Sequence, residues 1–319
     1  MAKTIEKFID KNSIETLQLT VGSECNNFCL FCMETDRAGR RREVKKFLKD
    51  RIYQVLENNT HIDKVVFTSG EPTLNPRLFD YAKRAKELGY KRIEIISNGR
   101  MFSHKDYCAK LMDAGVGEFI VSIHGHDKAT HEAMTRTPGS FEQTARGLAN
   151  LSWWRARRPI KLSVNHVLTK YNYKFTADFL KFLKNYLLDD AVLKTVRMSE
   201  SVEKATGLLI APRYAQVAKI LEGLYDKRRE LFLSRLNPKK NYVYVYDLPF
   251  CCYKNIRQLF GTGEKVFLDI NNQTVKIDYS RNKIKDKRCK LCKHDAICGG
   301  IYRSYIKEYG WDEFTPVKK

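Results

Sequence analysis

The chain lacks a long apolar run. No stretch approaches the ~20 apolar residues that a membrane span needs, and Met1 to Asn12 is charged and has no apolar centre of the secretion-signal kind. Membrane insertion and export are therefore not expected, and a cytoplasmic protein is. Arginine–glycine repeats and other low-complexity tracts are missing too. Acidic residues are scarce: 37 Asp and Glu stand against 58 Lys and Arg, a net charge of +21 over 319 residues. That excess suits an acidic partner such as nucleic acid, an anionic cofactor or an acidic peptide. It is equally compatible with a solvated surface, because the charge is spread along the chain. Three runs stand out, Arg37 to Lys49, Lys227 to Lys240 and Arg281 to Lys293.

Nine cysteines are present, three near the N-terminus, five near the C-terminus and Cys108 between them. A disulfide framework belongs to short exported chains, so this clustering points to metal or iron–sulfur ligation in a reducing compartment. Two separate sites are expected. Cys108, with Leu111 and Met112 on the same helix face, reads as an inert buried thiol.

From Ile14 to about Met198 strand-like and helix-like patterns alternate. Expected strands are Leu17 to Val21, Lys64 to Thr68, Arg92 to Ser97, Glu118 to His124, Lys161 to Leu168 and Val192 to Met198. Helices lie between them. Asn75-Pro76 supplies a cap and first-position proline for one helix, which Gly89 closes. Repeated βα units imply parallel strands with crossover helices. Six units are too few for a closed eight-stranded barrel, so the expected fold is α/β, a partial (β/α)6 barrel with its chemistry at the C-terminal strand ends. Past Ser199 the pattern changes. A long helix over Tyr214 to Leu233, a strand over Tyr242 to Tyr246 and a hairpin about Asn271-Asn272-Gln273 precede the last cysteines. The chain divides as a core over 1–210 and a small domain over 211–319 that a metal cluster would staple.

The first strand runs into Cys25-Asn26-Asn27-Phe28-Cys29-Leu30-Phe31-Cys32, a Cys-x3-Cys-x2-Cys spacing. Three thiolates from one loop can hold a four-iron cube and leave one iron open. Zinc would want a fourth ligand, and none lies close in sequence. With Phe31 before the last cysteine, the loop resembles that of radical S-adenosylmethionine (radical SAM) enzymes. Further motifs follow in order. Ser69-Gly70-Glu71-Pro72 resembles the family's Gly-Gly-Glu-Pro, Ser97-Asn98-Gly99 its Thr-Asn-Gly, and Val121-Ser122-Ile123-His124-Gly125 its Ser-Leu-Asp-Gly, with His124 where Asp is common.

The resemblance covers roughly residues 14–200. It implies a [4Fe–4S] cluster on Cys25, Cys29 and Cys32, and SAM held by Gly70, Glu71, Pro72, Ser97, Asn98, Ser122 and His124. It further implies reductive cleavage of SAM to a 5′-deoxyadenosyl radical, fed by an electron donor such as flavodoxin or ferredoxin. Asn165 and Arg197, at later strand ends, are candidates for the same cavity, and Arg37 to Arg42 for an anion clamp at its mouth.

Cys289-x2-Cys292-x5-Cys298, with Cys251-Cys252 upstream, resembles the SPASM and twitch extensions of that family. Tyr302 stands where the full SPASM pattern has a further cysteine, which implies one auxiliary cluster whose fourth ligand is Cys251 or Cys252. Adjacent residues point apart, so one of the two is expected to ligate. His294 could instead complete a structural zinc site. Tyr302, Tyr305 and Tyr309 and the Trp153-Trp154 pair read as packing. A peptide or protein side chain is the expected substrate, with a small molecule or nucleotide second. A competing class is a basic nucleic-acid-binding protein with two zinc sites, which leaves the ordered strand-end motifs unexplained.

Overall fold

A computed structural model of the chain describes residues 15–32, 51–196, 210–259, 266–268, 274–276 and 282–318. The first strand, β1 (Thr16–Thr20), buries Leu17 and Leu19 and leaves Thr16, Gln18 and Thr20 half-buried. That is the period-two pattern of a strand with a packed face and a more open one. The same alternation recurs in β4 (Glu118–Ser122) and β6 (Asp190–Thr195). β2 (Lys64–Thr68) buries Val65, Val66 and Phe67 in succession, as a central parallel strand covered on both faces does. β3 (Arg92–Ser97) and β5 (Lys161–Leu168) complete the six expected strands.

Helices cross over between them. Residues 51–58 form α1. α2 (Leu78–Glu87) buries Leu78, Tyr81, Ala82 and Ala85, one stripe at helical spacing. α3 (Lys105–Asp113), α4 (Lys128–Thr135), α5 (Ser140–Arg155) and α6 (Thr176–Leu183) follow. α2 begins later than expected, because Asn75 Oδ1 accepts from Arg77 N at 2.9 Å in a local turn and does not cap the helix. α4 was not expected. Asp127 caps it by accepting from Thr130 N at 2.8 Å.

The sheet order is β7-β6-β5-β4-β3-β2-β1-β8-β9, and β1 to β7 are all parallel. The open α/β barrel thus gains two parallel strands beyond the six expected, β7 on one edge and β8 on the other. β7 (Val243–Tyr246) comes from beyond α7 (Tyr214–Lys227) and joins β6. On the other edge β8 (Val266–Leu268) pairs with β1 through Leu17 and Leu268, and β9 (Thr274–Lys276) pairs antiparallel with β8. The expected hairpin is present, with its turn outside the described residues. A division at residue 210 does not fall on an edge of this sheet. A second, two-stranded sheet pairs β10 (Lys283–Ile284) with β11 (Ile301–Tyr302), followed by α8 (Arg303–Tyr309). No helix among the described residues is long and apolar enough to cross a membrane.

The two ends of the barrel differ in chemistry. At the N-terminal strand ends Lys64 pairs with Glu94 at 2.7 Å and Glu118 at 3.1 Å, and Arg92 pairs with Glu118 at 2.6 Å. The motif residues gather at the opposite end.

Candidate active site

β1 ends where Val21 N donates to Thr68 O, and the cysteine loop begins. Three neighbours hold the loop. From α4, Thr135 O accepts from Phe28 N at 2.9 Å and Met134 O from Leu30 N at 3.0 Å. From beyond β3, Asn98 Nδ2 donates to Asn26 Oδ1 at 2.7 Å, and Arg100 Nη1 donates to Asn26 O and to Asn27 Oδ1. From the turn after β2, Glu71 N donates to Glu24 O at 2.7 Å.

Cys25, Cys29 and Cys32 are half-buried cysteines. Asn27 N points at Cys25 Sγ at 3.4 Å, and Asn98 Nδ2 lies 4.0 Å from it. Donors aimed at a sulfur favour its thiolate form. Among the described residues no three His, Cys, Asp or Glu side chains converge as ligands of a single metal ion do. One zinc draws its sulfurs to about 2.3 Å from itself, whereas a cube carries its ligands on separate corners. The loop, with three thiols and inward donors, fits a four-iron cube.

The turn after β2 approaches this loop closely. Ser69 and Gly70 both take positive φ, 74° and 55°. A Cβ on Gly70 would lie 2.5 Å from Glu24 O, so only glycine lets the two backbones meet. Glu71 is 2% exposed. Its carboxylate accepts from Thr73 N at 3.1 Å, Thr73 Oγ1 at 2.6 Å, Ser97 Oγ at 2.7 Å and Asn98 N at 2.7 Å. Burial pushes its pKa up, against the hydrogen bonds from Thr73, Asn98 and Ser97. Pro72 opens the short 3-10 turn that follows. Ser97 and Asn98 thus both bond to Glu71, and these bonds organise the turn that grips the cysteine loop.

Ser122 and Asn165 are register partners on β4 and β5, both half-buried. One layer further up, half-buried Lys194 and Tyr246 are partners on β6 and β7. His124 is buried. Its ring meets Phe31 edge-on at 4.6 Å, and its Nδ1 accepts from Val167 N at 3.2 Å. His131 and His166 each sit 6.1 Å from it, centroid to centroid. His131 Nδ1 accepts from His124 N, and His166 Nδ1 bonds Ile123 O. Burial holds all three neutral: His124 falls well below its usual pKa, His131 to about 4 and His166 to about 3. The sequence offers His131 and His166 only as weaker cavity candidates, and it does not single out Arg100 or Lys194 for this region. Arg100 had a signal, since it directly follows Ser97-Asn98-Gly99.

The tail builds a second site. One cavity is lined by Cys251, Cys289, Cys292 and Cys298, with Phe250 and Trp311 among its apolar walls. The 3-10 turns Phe250–Cys252 and Lys287–Leu291 present Cys251 and Cys289, and Gly300 N points at Cys298 Sγ at 3.5 Å. Burial raises the pKa of Cys289 and Cys298. Cys252 does not line the cavity. Its thiol lies within reach of Cys251, an arrangement that lowers the pKa of Cys251 and raises that of Cys252. The two therefore do not point apart as adjacency in an extended chain suggests. Successive residues of a 3-10 turn are only about 120° apart around its axis, so neighbours can share a side. Four thiols around one apolar cavity fit a fully ligated cube. His294 also lines the cavity and stacks on Phe250 at 4.7 Å.

Cys108 is buried and its pKa is pushed up to about 12 by burial, as an inert thiol should be. Tyr305 stacks on Tyr214 at 4.1 Å and donates to Glu313. Trp153 is more exposed than a packing residue, and Lys105 Nζ and the Arg157 guanidinium sit over its ring at 3.2 and 3.8 Å. Arg37 to Arg42 and Arg197 lie outside the described residues.

The family model described as "Radical SAM superfamily" matches residues 19–152. A "Probable GTP 3',8-cyclase" of Sulfolobus acidocaldarius is 29% identical over 180 residues, 56% of this chain and 54% of its own length. One of the same description from Saccharolobus solfataricus is 26% identical over 239 residues, 74% of this chain and 71% of its own. The chain spans about half the length of most of the curated relatives it matches. Among solved structures, native anSMEcpe with bound AdoMet and Cp18Cys peptide aligns at TM-score 0.60 and 12% identity, over 94% of this chain and 92% of that one. Streptococcus suis SuiB bound to precursor peptide SuiA aligns at TM-score 0.53 and 16% identity, over 68% and 47%. At these identities the structural likeness is one of fold.

Proposed function

We propose, from the match of residues 19–152 to the radical SAM family model, an enzyme that uses SAM to oxidise a peptide or protein side chain. Cys25, Cys29 and Cys32 would hold a [4Fe–4S] cluster with one open iron. When bound there, cluster and SAM supply one-electron cleavage of a sulfur–carbon bond and a 5′-deoxyadenosyl radical that removes hydrogen from the substrate. The protein's part is placement. Gly70 admits a backbone close to the methionyl end. Glu71 holds Ser97 and Asn98 at the adjoining strand end, and Asn98 and Arg100 hold the cysteine loop. Ser122 and Asn165 offer polar contacts on neighbouring strands. Phe31, packed on the neutral His124 ring, shields the loop from water.

The observation that carries the substrate class is the tail cavity. Cys251, Cys289, Cys292 and Cys298 can satisfy all four corners of an auxiliary cube. A fully ligated cluster takes up an electron and leaves no iron for a small molecule to bind, which favours oxidation of a tethered side chain. Nine cysteines clustered toward the two ends of a long chain support a reducing, cytoplasmic setting.

A second reading, cyclisation of a nucleotide such as GTP, draws on the printed name of the curated relatives. One experiment separates the two. Anaerobically reconstituted protein is given SAM, a reductant and GTP, and 5′-deoxyadenosine and nucleotide products are measured. SAM cleavage with GTP unchanged is expected. GTP consumption coupled to 5′-deoxyadenosine would establish the nucleotide reading, and absence of any SAM cleavage would overturn both.

A further inference from the structure

The tail segment around Cys289, Cys292 and Cys298 has an outer face that the cluster site does not use. Leu291 is 73% exposed and Ile297 63%, more than any other large apolar side chain among the described residues. Each directly precedes a cysteine of the cavity, Cys292 and Cys298. An apolar side chain held in water beside such a site marks a contact surface. The surrounding charge is net positive, Asp312 near Arg288 notwithstanding. Asp295 is paired with Lys285 at 2.9 Å and Asp286 with Arg288 at 2.7 Å. Between and beyond these pairs stand Lys287, Lys290 and Lys293, all exposed.

We propose that this face docks an acidic one-electron carrier protein, which exchanges electrons with the tail cluster. The inference rests on the tail-cluster reading given above. A cluster that accepts an electron in each turnover must pass it on, and a carrier seated on Leu291 and Ile297 stands one residue from two ligand sulfurs. The patch is small, which suits a transient complex steered by charge. A second copy of this chain is a poor occupant, because two molecules of net charge +21 repel. In the exchange no bond is made or broken. The reduced cube loses one electron and a neutral flavin semiquinone gains it to become the hydroquinone anion, and the same exchange runs in reverse when flavin hydroquinone meets an oxidised cube.

The test follows cluster bleaching in a stopped-flow instrument, with the full chain loaded at both sites and flavodoxin hydroquinone as reductant. The wild-type rate should fall as salt rises, and the K287E/K290E/K293E variant should be slower by about tenfold or more at low salt. Reduced methyl viologen, a small cation, should reduce the variant at least as fast as wild type. Iron content per chain should be unchanged. A flavodoxin rate insensitive to both salt and the substitutions would overturn the proposal. So would an unchanged rate accompanied by lost binding of an acidic substrate peptide, or by a change from dimer to monomer in sedimentation. If the variant loses iron, the salt dependence of the wild-type protein alone decides the matter. A wild-type content near four irons would defeat the tail-cluster reading instead, before any docking is measured.

Discussion

The backbone N–H of Asn98 donates to Glu71 Oε2 at 2.7 Å, so the turn after β3 hangs from a carboxylate on the turn after β2. Ser97 Oγ donates to the other oxygen at 2.7 Å. Glu71→Gln keeps the shape but turns an NH2 group toward one of these donors. The variant should lose about 1–3 kcal/mol of stability, the usual cost of a buried unsatisfied donor. SAM cleavage should drop sharply while both sets of irons stay bound. Iron analysis, a denaturant titration and a 5′-deoxyadenosine assay check this. Unchanged cleavage in a destabilised variant would show that the network does not position the site.

Gly70 and Gly310 both have positive φ, 55° and 68°, but differ in surroundings. A Cβ at Gly70 would meet Glu24 O at 2.5 Å, whereas nothing lies within 4 Å of one at Gly310. Alanine at either position is strained by its positive φ, and at Gly310, with ψ −163°, the strain costs about 1–3 kcal/mol. Only Gly70→Ala should also displace the cysteine loop. After reconstitution Gly70→Ala should hold about four irons and Gly310→Ala about eight. Equal iron contents in the two would contradict this account of the close approach.

His124, His131 and His166 are buried neutral, and the pKa of each is depressed in the folded state. The unfolded chain takes up protons near the ordinary histidine value of about 6.5, while the folded chain does not until about 4 or below for His131 and about 3 for His166. The unfolded state therefore binds more protons in that window, so stability is full above about pH 7 and falls as pH drops. At pH 5 each histidine should cost roughly 2 kcal/mol relative to pH 7. Denaturation midpoints at the two pH values measure it. His166→Phe, which removes one titrating ring, should make the slope shallower.

Cys251 lines the tail cavity and Cys252 does not. Cys251→Ala should therefore lower iron content from about eight to about four per chain, and Cys252→Ala should leave it near eight. Replacing Cys289 and Cys292 by Ala should abolish side-chain oxidation while SAM is still cleaved without coupling to substrate. The reverse pattern at 251 and 252 would exchange their roles.

Much of the site was legible because its motifs are local. Cys25 to Cys32, Gly70-Glu71 and Ser97-Asn98 each sit just past a strand whose pattern could be read, and β2 and β3 have the bounds expected. What escaped depends on partners distant in sequence. β7 reads as a short strand, but nothing in Val243–Tyr246 says that it pairs with β6. α4 is short and mixed in character, so its apolar stripe is weak, although Asp127 was a readable cap. The place of His124 in a motif implies a cofactor contact but says nothing of its neighbours. Its burial against Phe31, His131 and His166 is a matter of packing that strand position alone does not specify.

The sheet order has a consequence for how the molecule is made. Strands from the last third of the chain cover both outer flanks of the first six, β7 against β6 and β8 against β1. A chain truncated at residue 210 would present two bare strand edges and invite self-association. During synthesis β1 emerges early yet gains its second neighbour only when Leu268 arrives, and contacts this distant in sequence form slowly. The cysteine loop, carried directly on β1, thus spends the growth of nearly the whole polypeptide on a half-paired strand.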